Sequence, residues 1–407
     1  MIAPTLRDDF LSSIAPDGVL GVAVSGGGDS MGLLHLLLRA GVSLAAATVN
    51  HNQREEAAAE ADAVAAFCAG HGVPHEVLQW RWDGQGNFQD QARRGRYGLL
   101  AQWAVRAGVD AVALGHTGDD NIETFLMGLS RGAGLDGLSG MRPEFIYDGV
   151  RFCRPLLDTR RSDLRDMLRE AGVSWSDDPS NDDPSYHRIQ VRQNMDALAA
   201  AGILPEQVLA SLGNLQATRR DVNADLARAV QGRFKIDRGD LCFDAEWVGD
   251  ISPESQRRLL NCALQFVAGR EYPPRGSKLG RVLADLRQKS QLHGCVIYAN
   301  DGLLRVGREY GVIADLRAPS KGLWDGRWRA DGPHSDTTEM RALGEAGLAQ
   351  WGGDWRDIGL PRHAVLALAS VWDGDALCAA PLHGLSDDWH LELKQSDDAY
   401  IEFVLSH

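Results

Sequence analysis

The stretch 19-VLGVAVSGGGDS-30 joins an apolar run to a glycine-rich turn, and a helical pattern begins near Met31. Three consecutive glycines let the backbone approach an anion without obstruction by Cβ atoms. The start of the following helix presents N–H groups and the positive end of its dipole at the same place. The turn is therefore predicted to bind phosphate through a loop made of Ser25, Gly26, Gly27, Gly28, Asp29 and Ser30.

Two common phosphate loops do not fit these residues. A Walker loop has a lysine after its last glycine, where this chain has Asp29 and Ser30. A dinucleotide-binding fingerprint requires a third glycine at the position of Met31. Asp29 adds a further constraint, because a carboxylate beside phosphates is repelled unless Mg²⁺ lies between them. The loop thus predicts a magnesium-dependent site in which Asp29 is the metal ligand.

The segment around this loop alternates short apolar runs with amphipathic helical patterns. Strands are predicted at 19–24, 44–50, 75–78 and 111–115, with a fifth at 150–154, and helices at 30–40, 55–70, 88–106 and 121–129. This alternation predicts an α/β fold, a doubly wound parallel sheet with helices on both faces. Ligands of such sheets bind beyond the carboxyl ends of the strands, so the residues after each strand are the candidates for function.

The rest of the chain follows other patterns. The sheet domain is predicted to span 1–200, followed by a helical domain over 204–315 and a small mixed α/β C-terminal module over 316–407, with extended runs at 363–368 and 377–380. A basic stretch of the helical domain contains Arg270, Arg275, Lys278, Arg281, Arg287 and Lys289. This stretch fits a surface that binds nucleic acid and fits a solvated helix face equally well.

Composition bounds the class of protein and its compartment. The formal charge of −14 argues against a polyanionic partner, although it does not exclude a local basic patch. The six cysteines include no C-x-x-C pair, so neither a zinc knuckle nor a redox dithiol is indicated. The first residues lack the apolar stretch of a signal peptide, and no segment approaches the roughly 18 apolar residues of a membrane span. A cytoplasmic protein without membrane contact is predicted, and a homodimer is compatible with the sequence.

A second polar segment follows the strand at 111–115. It reads 116-HTGDDNIET-124 and places Asp120 and Glu123 three residues apart. If a helix begins near Asp120, both carboxylates lie on one face at the ligand-binding edge of the sheet. The alternative is that Asp119 or Asp120 only caps the helix.

Both segments resemble known signatures. Ser-Gly-Gly-x-Asp-Ser resembles the PP-loop of ATP-pyrophosphatases, which cleave ATP between its α- and β-phosphates and leave an adenylated intermediate. The 116–124 segment resembles the His-x-x-Asp-Asp-x-x-Glu-Thr signature of tRNA(Ile)-lysidine synthetases. Further elements of that family match 49-VNH-51 with Arg54, 92-ARRGRY-97, 154-RPLL-157, 177-DDPSN-181, Arg188 and Arg192. The chain departs from the family where Asn52 and Gln53 often read Gly-Leu and where Thr117 is often histidine.

The resemblance implies a two-step reaction with ATP and Mg²⁺ as cofactors. The wobble cytidine of the CAU anticodon of minor tRNA(Ile) attacks the α-phosphate, and the amine of free L-lysine then displaces AMP at carbon 2. Asp29 would hold Mg²⁺, and Arg93 would act as a cationic clamp on the phosphates. Asp120 or Glu123 would accept the proton of the lysine amine, although either could instead hold the lysine ammonium or a metal.

Other interpretations of single residues remain open. Arg93 or Arg96 could form a surface ion pair, and His51 and His116 could be packed loop residues. Another PP-loop enzyme, such as a tRNA thiolase or an ammonia-using synthetase, shares the first motif. A non-catalytic RNA-binding protein that retains the nucleotide fold is the alternative from a different class.

Overall fold

The computed structural model describes residues 6, 8–14, 18–51, 56–82, 84, 88–176, 187–270, 272–382 and 388–407. It separates into two compact units, Met1–Arg219 and Arg220–His407. The boundary falls inside the helix Pro205–Val230. The finer division into three domains, at 1–200, 204–315 and 316–407, stays a prediction.

The first unit contains a six-stranded sheet. Its strands are β1 Leu20–Ala23, β2 Leu44–Asn50, β3 His75–Gln79, β4 Ala111–Leu114, β5 Glu144–Tyr147 and β6 Val150–Cys153, in the order β3-β2-β1-β4-β6-β5. Every neighbouring pair is parallel except β5 with β6. The predicted doubly wound parallel sheet is therefore confirmed, including the predicted strand at 150–154.

Strand β5 was not predicted from the sequence. It pairs with β6 as a hairpin whose turn contains Asp148 and Gly149, both with positive φ (48° and 77°). An Asp-Gly pair at positive φ is the standard connection of a tight hairpin, because its twist matches that of the strands. The Asp-Gly pair is thus a sequence signal for this hairpin, but the four-residue strand before it is too short to show a clear alternation.

Helices cover both faces of this sheet. They are α1 Asp8–Ser12, α2 Gly28–Arg39, α3 Glu56–Gly70, α4 Phe88–Ala107, α5 Gly118–Leu129, α6 Leu135–Leu138, α7 Arg161–Glu170, α8 His187–Gln193, α9 Met195–Ala200 and α10 Pro205–Val230. Side chains of β4 alternate between two separate cores: Ala111 and Ala113 belong to the core that contains α2, while Val112 and Leu114 belong to the core that contains α4. This period of two is what a strand buried on both faces requires.

The second unit is built from antiparallel sheets and helices. A five-stranded sheet has the order β7-β8-β11-β10-β9, with β7 Phe234–Asp237, β8 Asp240–Asp244, β9 Ser290–Leu292, β10 Cys295–Asn300 and β11 Leu303–Arg308. Around it lie α11 Ala245–Asp250, α12 Pro253–Ala268 and α13 Gly276–Leu283. The helical pattern predicted for 204–315 is present in these helices, and the sheet between them was not predicted.

The last part of the chain is mixed, as predicted. After α14 Tyr310–Ile313 come strands β12 Ala318–Pro319, β13 Trp328–Asp331, β14 Thr338–Ala342, β15 Ala369–Asp373, β16 Ala376–Ala379 and β17 His390–Leu393, with helices α15 Gly344–Trp351, α16 Arg362–Leu366 and α17 Asp397–Ser406. The run at 377–380 lies mostly in β16, but that at 363–368 is mostly helical, because Pro361 precedes a turn that buries Val365 and Leu366. Within the described ranges, no helix has the length and apolar character needed to cross a membrane.

The carboxyl ends of β1 and β4 meet at one point of the sheet. The chain leaves β1 toward β2 on one side and returns through β4 on the other, so these two neighbouring strands form a topological switch point, where ligands of such sheets bind. Gly115, directly after β4, permits this approach: a Cβ there would lie 2.9 Å from Cα of Ser30 and 3.0 Å from its backbone N.

We expect Gly115→Ala to lower the free energy of unfolding by about 1–3 kcal/mol, because the added methyl group meets backbone atoms that cannot rotate away. Urea unfolding would measure the change. Gly98→Ala on α4 is the matched control, since a Cβ at Gly98 meets no described atom within 4 Å. Alanine in a helix there should be neutral or stabilising by up to about 1 kcal/mol. Equal midpoints for the two variants would contradict the close approach.

Candidate active site

The glycine-rich loop forms a turn closed by its own serines. Gly26 has a φ of +84°, and Gly27 precedes α2 as an N-cap without a side-chain cap. The Ser30 hydroxyl donates to the carbonyl oxygen of Gly27 (3.0 Å) and accepts from the backbone N of Ser25 (3.1 Å). The predicted loop therefore lies at the start of a helix whose N-cap residue has no side chain, a geometry suited to an anion.

A second segment forms a wall beside the loop. The backbone N of Ser176 donates to the carbonyl oxygen of Gly26 (2.9 Å), and a Cβ on Gly28 would lie 3.3 Å from the Trp175 indole. Gly28 thus makes room for an aromatic ring that was not predicted from the sequence. The family element 177–181 comes next along the chain and lies outside the described residues.

The second signature begins α5. Thr117 is its N-cap and forms a capping box with Asp120: Oδ2 of Asp120 accepts from the backbone N (2.8 Å) and from Oγ1 (3.0 Å) of Thr117. Asp120 thus takes part in capping the helix, as the alternative interpretation held, but only one of its two carboxylate oxygens is used. Glu123 lies one turn further on and is 2% exposed.

One guanidinium joins the acidic residues of both signatures. Nε of Arg161, the first residue of α7, lies 2.8 Å from Oδ2 of Asp29, and its Nη2 lies 3.1 Å from Oδ1 of Asp120. Its Nη1 lies 3.8 Å from Oε1 of Glu123. The structure therefore brings the three predicted acidic residues together around an arginine that was not among the predicted site residues.

A signal for Arg161 was nevertheless present in the sequence. Arg160 and Arg161 stand at the N-cap and the first position of α7, where the helix dipole disfavours positive charge. Two cations at this end indicate that acidic partners come from elsewhere in the fold. Arg160 pairs with Asp119 (3.2 Å), so both arginines have carboxylates of α5 as partners.

Two arginines of α8 bind Glu123 from another direction. Nε of Arg188 lies 2.7 Å from Oε2, and Nε of Arg192 lies 2.8 Å from Oε1. Both were recognised in the sequence only as elements of the family pattern. We call Asp29, Asp120, Glu123, Arg161, Arg188 and Arg192 the charge cluster. Its three carboxylates face three guanidiniums, which offsets the cost of desolvating Glu123.

The pKa values of Asp29 and Asp120 are shifted in opposite directions. Burial raises the pKa of Asp29, and the nearby Arg161 only partly opposes this effect. Burial also acts to raise the pKa of Asp120, but attraction to Arg161 and Arg188 outweighs it, so that the pKa of Asp120 is lowered. Asp120 is therefore a stable anion, and Asp29 is the acid whose charge depends more on an additional cation.

His116 is held as a neutral ring. Burial, together with the positive charge of Arg154, lowers its pKa. Nε of Arg154 lies 3.3 Å from Nδ1 of His116 and donates to it, which requires that this nitrogen carry no proton. His116 thus accepts a hydrogen bond from Arg154. The 116–124 signature is therefore in contact with the Arg-Pro-Leu-Leu element at 154–157.

The arginines of α4 have different surroundings. The guanidinium of Arg93 lies over the Tyr97 ring, 5.0 Å from its centroid, and its assignment to the phosphates stays a prediction. Arg94 forms a surface ion pair on this helix, with Asp90 (3.0 Å). The positive charge of Arg96 contributes to the lowered pKa of both His51 and His116, which places Arg96 near the loops after β2 and β4. Residues 52–54 lie outside the described residues.

Asp29 is suited to hold a magnesium ion that arrives with a nucleotide. Its Oδ1 is buried and has no hydrogen-bond partner among the described residues. Within the same ranges, no group of three or more His, Cys, Asp or Glu side chains is arranged to hold a metal by itself. Mg²⁺ commonly binds through one or two carboxylates with phosphate oxygens and water as the other ligands, and Asp29 fits that pattern.

Known proteins are similar to this chain over the region that contains the site. Residues 6–198 match the family model of the PP-loop domain, which covers the described sheet and both signatures. A tRNA(Ile)-lysidine synthase of Ruegeria pomeroyi is 44% identical over 409 residues, which cover 99% of this chain and 97% of the relative.

More distant relatives carry the same description. The tRNA(Ile)-lysidine synthase of Hyphomonas neptunium is 37% identical, over 69% of this chain and 77% of the relative. That of Rhizobium meliloti is 34% identical, over 88% of this chain and 82% of the relative. With its PP-loop and its acidic signature at one edge of the sheet, the chain belongs to the tRNA(Ile)-lysidine synthase family.

Proposed function

We propose that the protein joins L-lysine to the wobble cytidine of the CAU anticodon of minor tRNA(Ile), with ATP as the source of the adenylated intermediate. In the first step, O2 of the cytidine bonds to the α-phosphorus and pyrophosphate leaves. In the second, the lysine nitrogen bonds to C2, AMP leaves with O2, and the amine loses one proton. The observation that carries the proposal is the meeting of the PP-loop, Asp120 and Glu123 around Arg161.

The first step concentrates negative charge on the phosphates. The amides of Gly26 to Ser30 and the dipole of α2 would stabilise that charge, because the N-cap Gly27 has no side chain to compete for the helix start. Mg²⁺, held by Oδ1 of Asp29, would supply further positive charge at the phosphate oxygens. Arg93 is proposed as an additional cationic contact to the phosphates.

The second step needs a lysine amine without its proton. Asp120 and Glu123 are the proposed acceptors, and both are fully engaged: Asp120 by Thr117 and Arg161, Glu123 by Arg188 and Arg192. Either carboxylate therefore has to exchange an arginine for the lysine ammonium before it takes a proton. Asp120, with its lowered pKa, is the better anchor for the ammonium.

The cysteines do not favour the thiolase alternative. Five of the six are buried, and Cys378 is half-buried. Burial raises the pKa of the thiol of Cys68 to about 11 and that of Cys153 to about 12. Sulfur transfer uses the thiolate, which these surroundings disfavour.

We also propose that the region 204–315 binds the body of the tRNA. The basic side chains of its predicted patch are all exposed, and among the described residues none of them forms an ion pair: Arg270, Arg275, Lys278, Arg281, Arg287 and Lys289. In a chain with a net charge of −14, a group of exposed cations is a local binding surface for phosphates. A cytoplasmic location and a homodimer remain parts of the proposal.

The function is tested by AMP formation. Purified protein with ATP, Mg²⁺, lysine and minor tRNA(Ile) should form AMP and pyrophosphate only when the tRNA is present, and lysine should appear in the tRNA. Asp29→Asn should lower the rate at least about 100-fold, because it weakens the metal contact. The dissociation constant for tRNA should stay unchanged.

Asp110→Asn is the control for that substitution, since Asp110 is exposed at the opposite end of β4. Loss of both AMP formation and tRNA binding in Asp29→Asn would contradict the separation of the two roles. A folded wild-type protein that forms no AMP would favour the non-catalytic alternative.

Arg161→Gln is expected to destabilise the first unit by roughly 3 kcal/mol, because three neighbouring carboxylates lose a shared cation. AMP formation should fall with it. Arg151→Gln is the matched control: its ion pair with Glu144 lies at the surface and should contribute less than about 1 kcal/mol. Urea unfolding of both variants measures the difference, and equal stabilities would contradict the role of Arg161 as the shared cation of the three carboxylates.

Reversal of two charges on α13, Lys278→Glu with Arg281→Glu, should weaken tRNA binding about tenfold at moderate salt. The slope of log K against log salt should become shallower by about one for each phosphate that the variant no longer neutralises. Lys321→Glu, an exposed lysine of the same unit, is the control. An unchanged slope would identify the patch as a solvated helix face.

A further inference from the structure

Four aromatic side chains form a continuous row beside the PP-loop edge of the sheet. His51 and Trp80 have ring centroids 5.3 Å apart, Trp80 and Phe88 5.6 Å, and Phe88 and Trp82 5.3 Å, each pair edge to face. We call these four residues the aromatic row. His51 directly follows β2, Trp80 directly follows β3, and Phe88 begins α4. The row therefore lies at the carboxyl edge of the sheet, where ligands of this fold bind.

The aromatic row leads from the interior to the surface. Trp80 is buried, His51 and Phe88 are half-buried, and Trp82 is 45% exposed. A tryptophan side chain gains much from burial, so an exposed one at a ligand-binding edge points to a binding surface. The other three rings, which are buried or half-buried, pack in a row behind Trp82.

A glycine of α4 sets the position of the inner tryptophan. A Cβ on Gly95 would overlap the indole ring of Trp80. Glycine inside a helix costs about 1 kcal/mol relative to alanine, and here it allows the indole to pack against the helix backbone. Gly95 belongs to 92-ARRGRY-97, so this motif supports the aromatic row as well as presenting arginines.

Positive charge accompanies the rings. Arg81 stands between Trp80 and Trp82 in the chain and is exposed, and the charge of Arg96 acts on His51. Aromatic planes interleaved with arginines are the surface on which unpaired nucleobases stack while their phosphates are neutralised. An apolar peptide partner would not make use of these cations.

We propose that the aromatic row, with Trp82 as its outer contact, stacks an unpaired nucleobase that flanks the target cytidine in the RNA substrate. This inference rests on the proposed function. Reaction at an atom of the cytidine requires that this base leave the stack of the loop, which costs a few kcal/mol. Its neighbour then lacks a stacking partner, and an aromatic plane at the entrance of the site replaces that partner.

The experiment uses an anticodon stem–loop of minor tRNA(Ile) with 2-aminopurine on either side of the target cytidine. Binding to the wild-type protein should quench the fluorescence of one of the two labelled RNAs. Trp82→Ala should lose that quenching and weaken binding about 5- to 20-fold, and Trp82→Phe should restore most of both. Gly95→Ala, which displaces Trp80 without deleting a ring, should also weaken binding.

Val105→Ala is the matched control. Val105 is an exposed apolar residue at the opposite end of α4, so the variant should bind the RNA like the wild type. The affinity for ATP, measured by equilibrium dialysis without RNA, should be the same in all of these proteins. Unchanged ATP affinity also confirms that the variants are folded.

Two results would overturn the assignment of the aromatic row alone: RNA binding and quenching that persist in Trp82→Ala, or a weakened affinity for ATP with RNA binding intact, which would make the row an adenine contact. A folded wild-type protein that binds ATP and neither stem–loop would overturn the proposed function, and the stacking with it.

Discussion

The contact of Arg161 with Asp29 and Asp120 is the interaction on which the site depends. The two carboxylates come from the starts of α2 and α5, which follow the neighbouring strands β1 and β4. The two carboxylates repel each other, and the charge of Asp120 contributes to the raised pKa of Asp29, so the two helix starts need a cation between them. Arg161 supplies it from a third segment, and its position follows from the first turn of α7.

The charge cluster is already balanced, which affects how cationic ligands would bind. The three carboxylates of the charge cluster are already matched by three guanidiniums, and the Mg²⁺ and lysine of the proposed function would each bring additional positive charge. Under the proposed function, Mg²⁺ would bind the unpartnered Oδ1 of Asp29, whereas the lysine ammonium would have to displace an arginine from Asp120 or Glu123. A guanidinium released beside ATP would have its phosphates as new partners, so that under the proposed function the same side chain would serve both the empty and the loaded site.

Local patterns predicted the parts of the site that a single segment determines. The glycine loop, the strands before it and the acidic helix start each depend on neighbouring residues, and they were found where the sequence indicated. Arg161 was not predicted, because its contact with Asp29 joins residues 132 positions apart. The same reason applies to Trp175, Ser176 and the five-stranded sheet of the second unit, which were not predicted either. Their roles come from packing and strand pairing between distant segments, which periodicity within one segment does not record.

Two ion pairs of α5 fix both ends of one segment of the chain. Arg161 binds Asp120, and Arg188 binds Glu123, so the segment from 161 to 188 is tethered to the same helix at both ends. Loss of either ion pair would therefore free one end of the segment that contains Trp175 and Ser176, so the pairing of α5 with its arginines also helps to hold the wall beside the PP-loop.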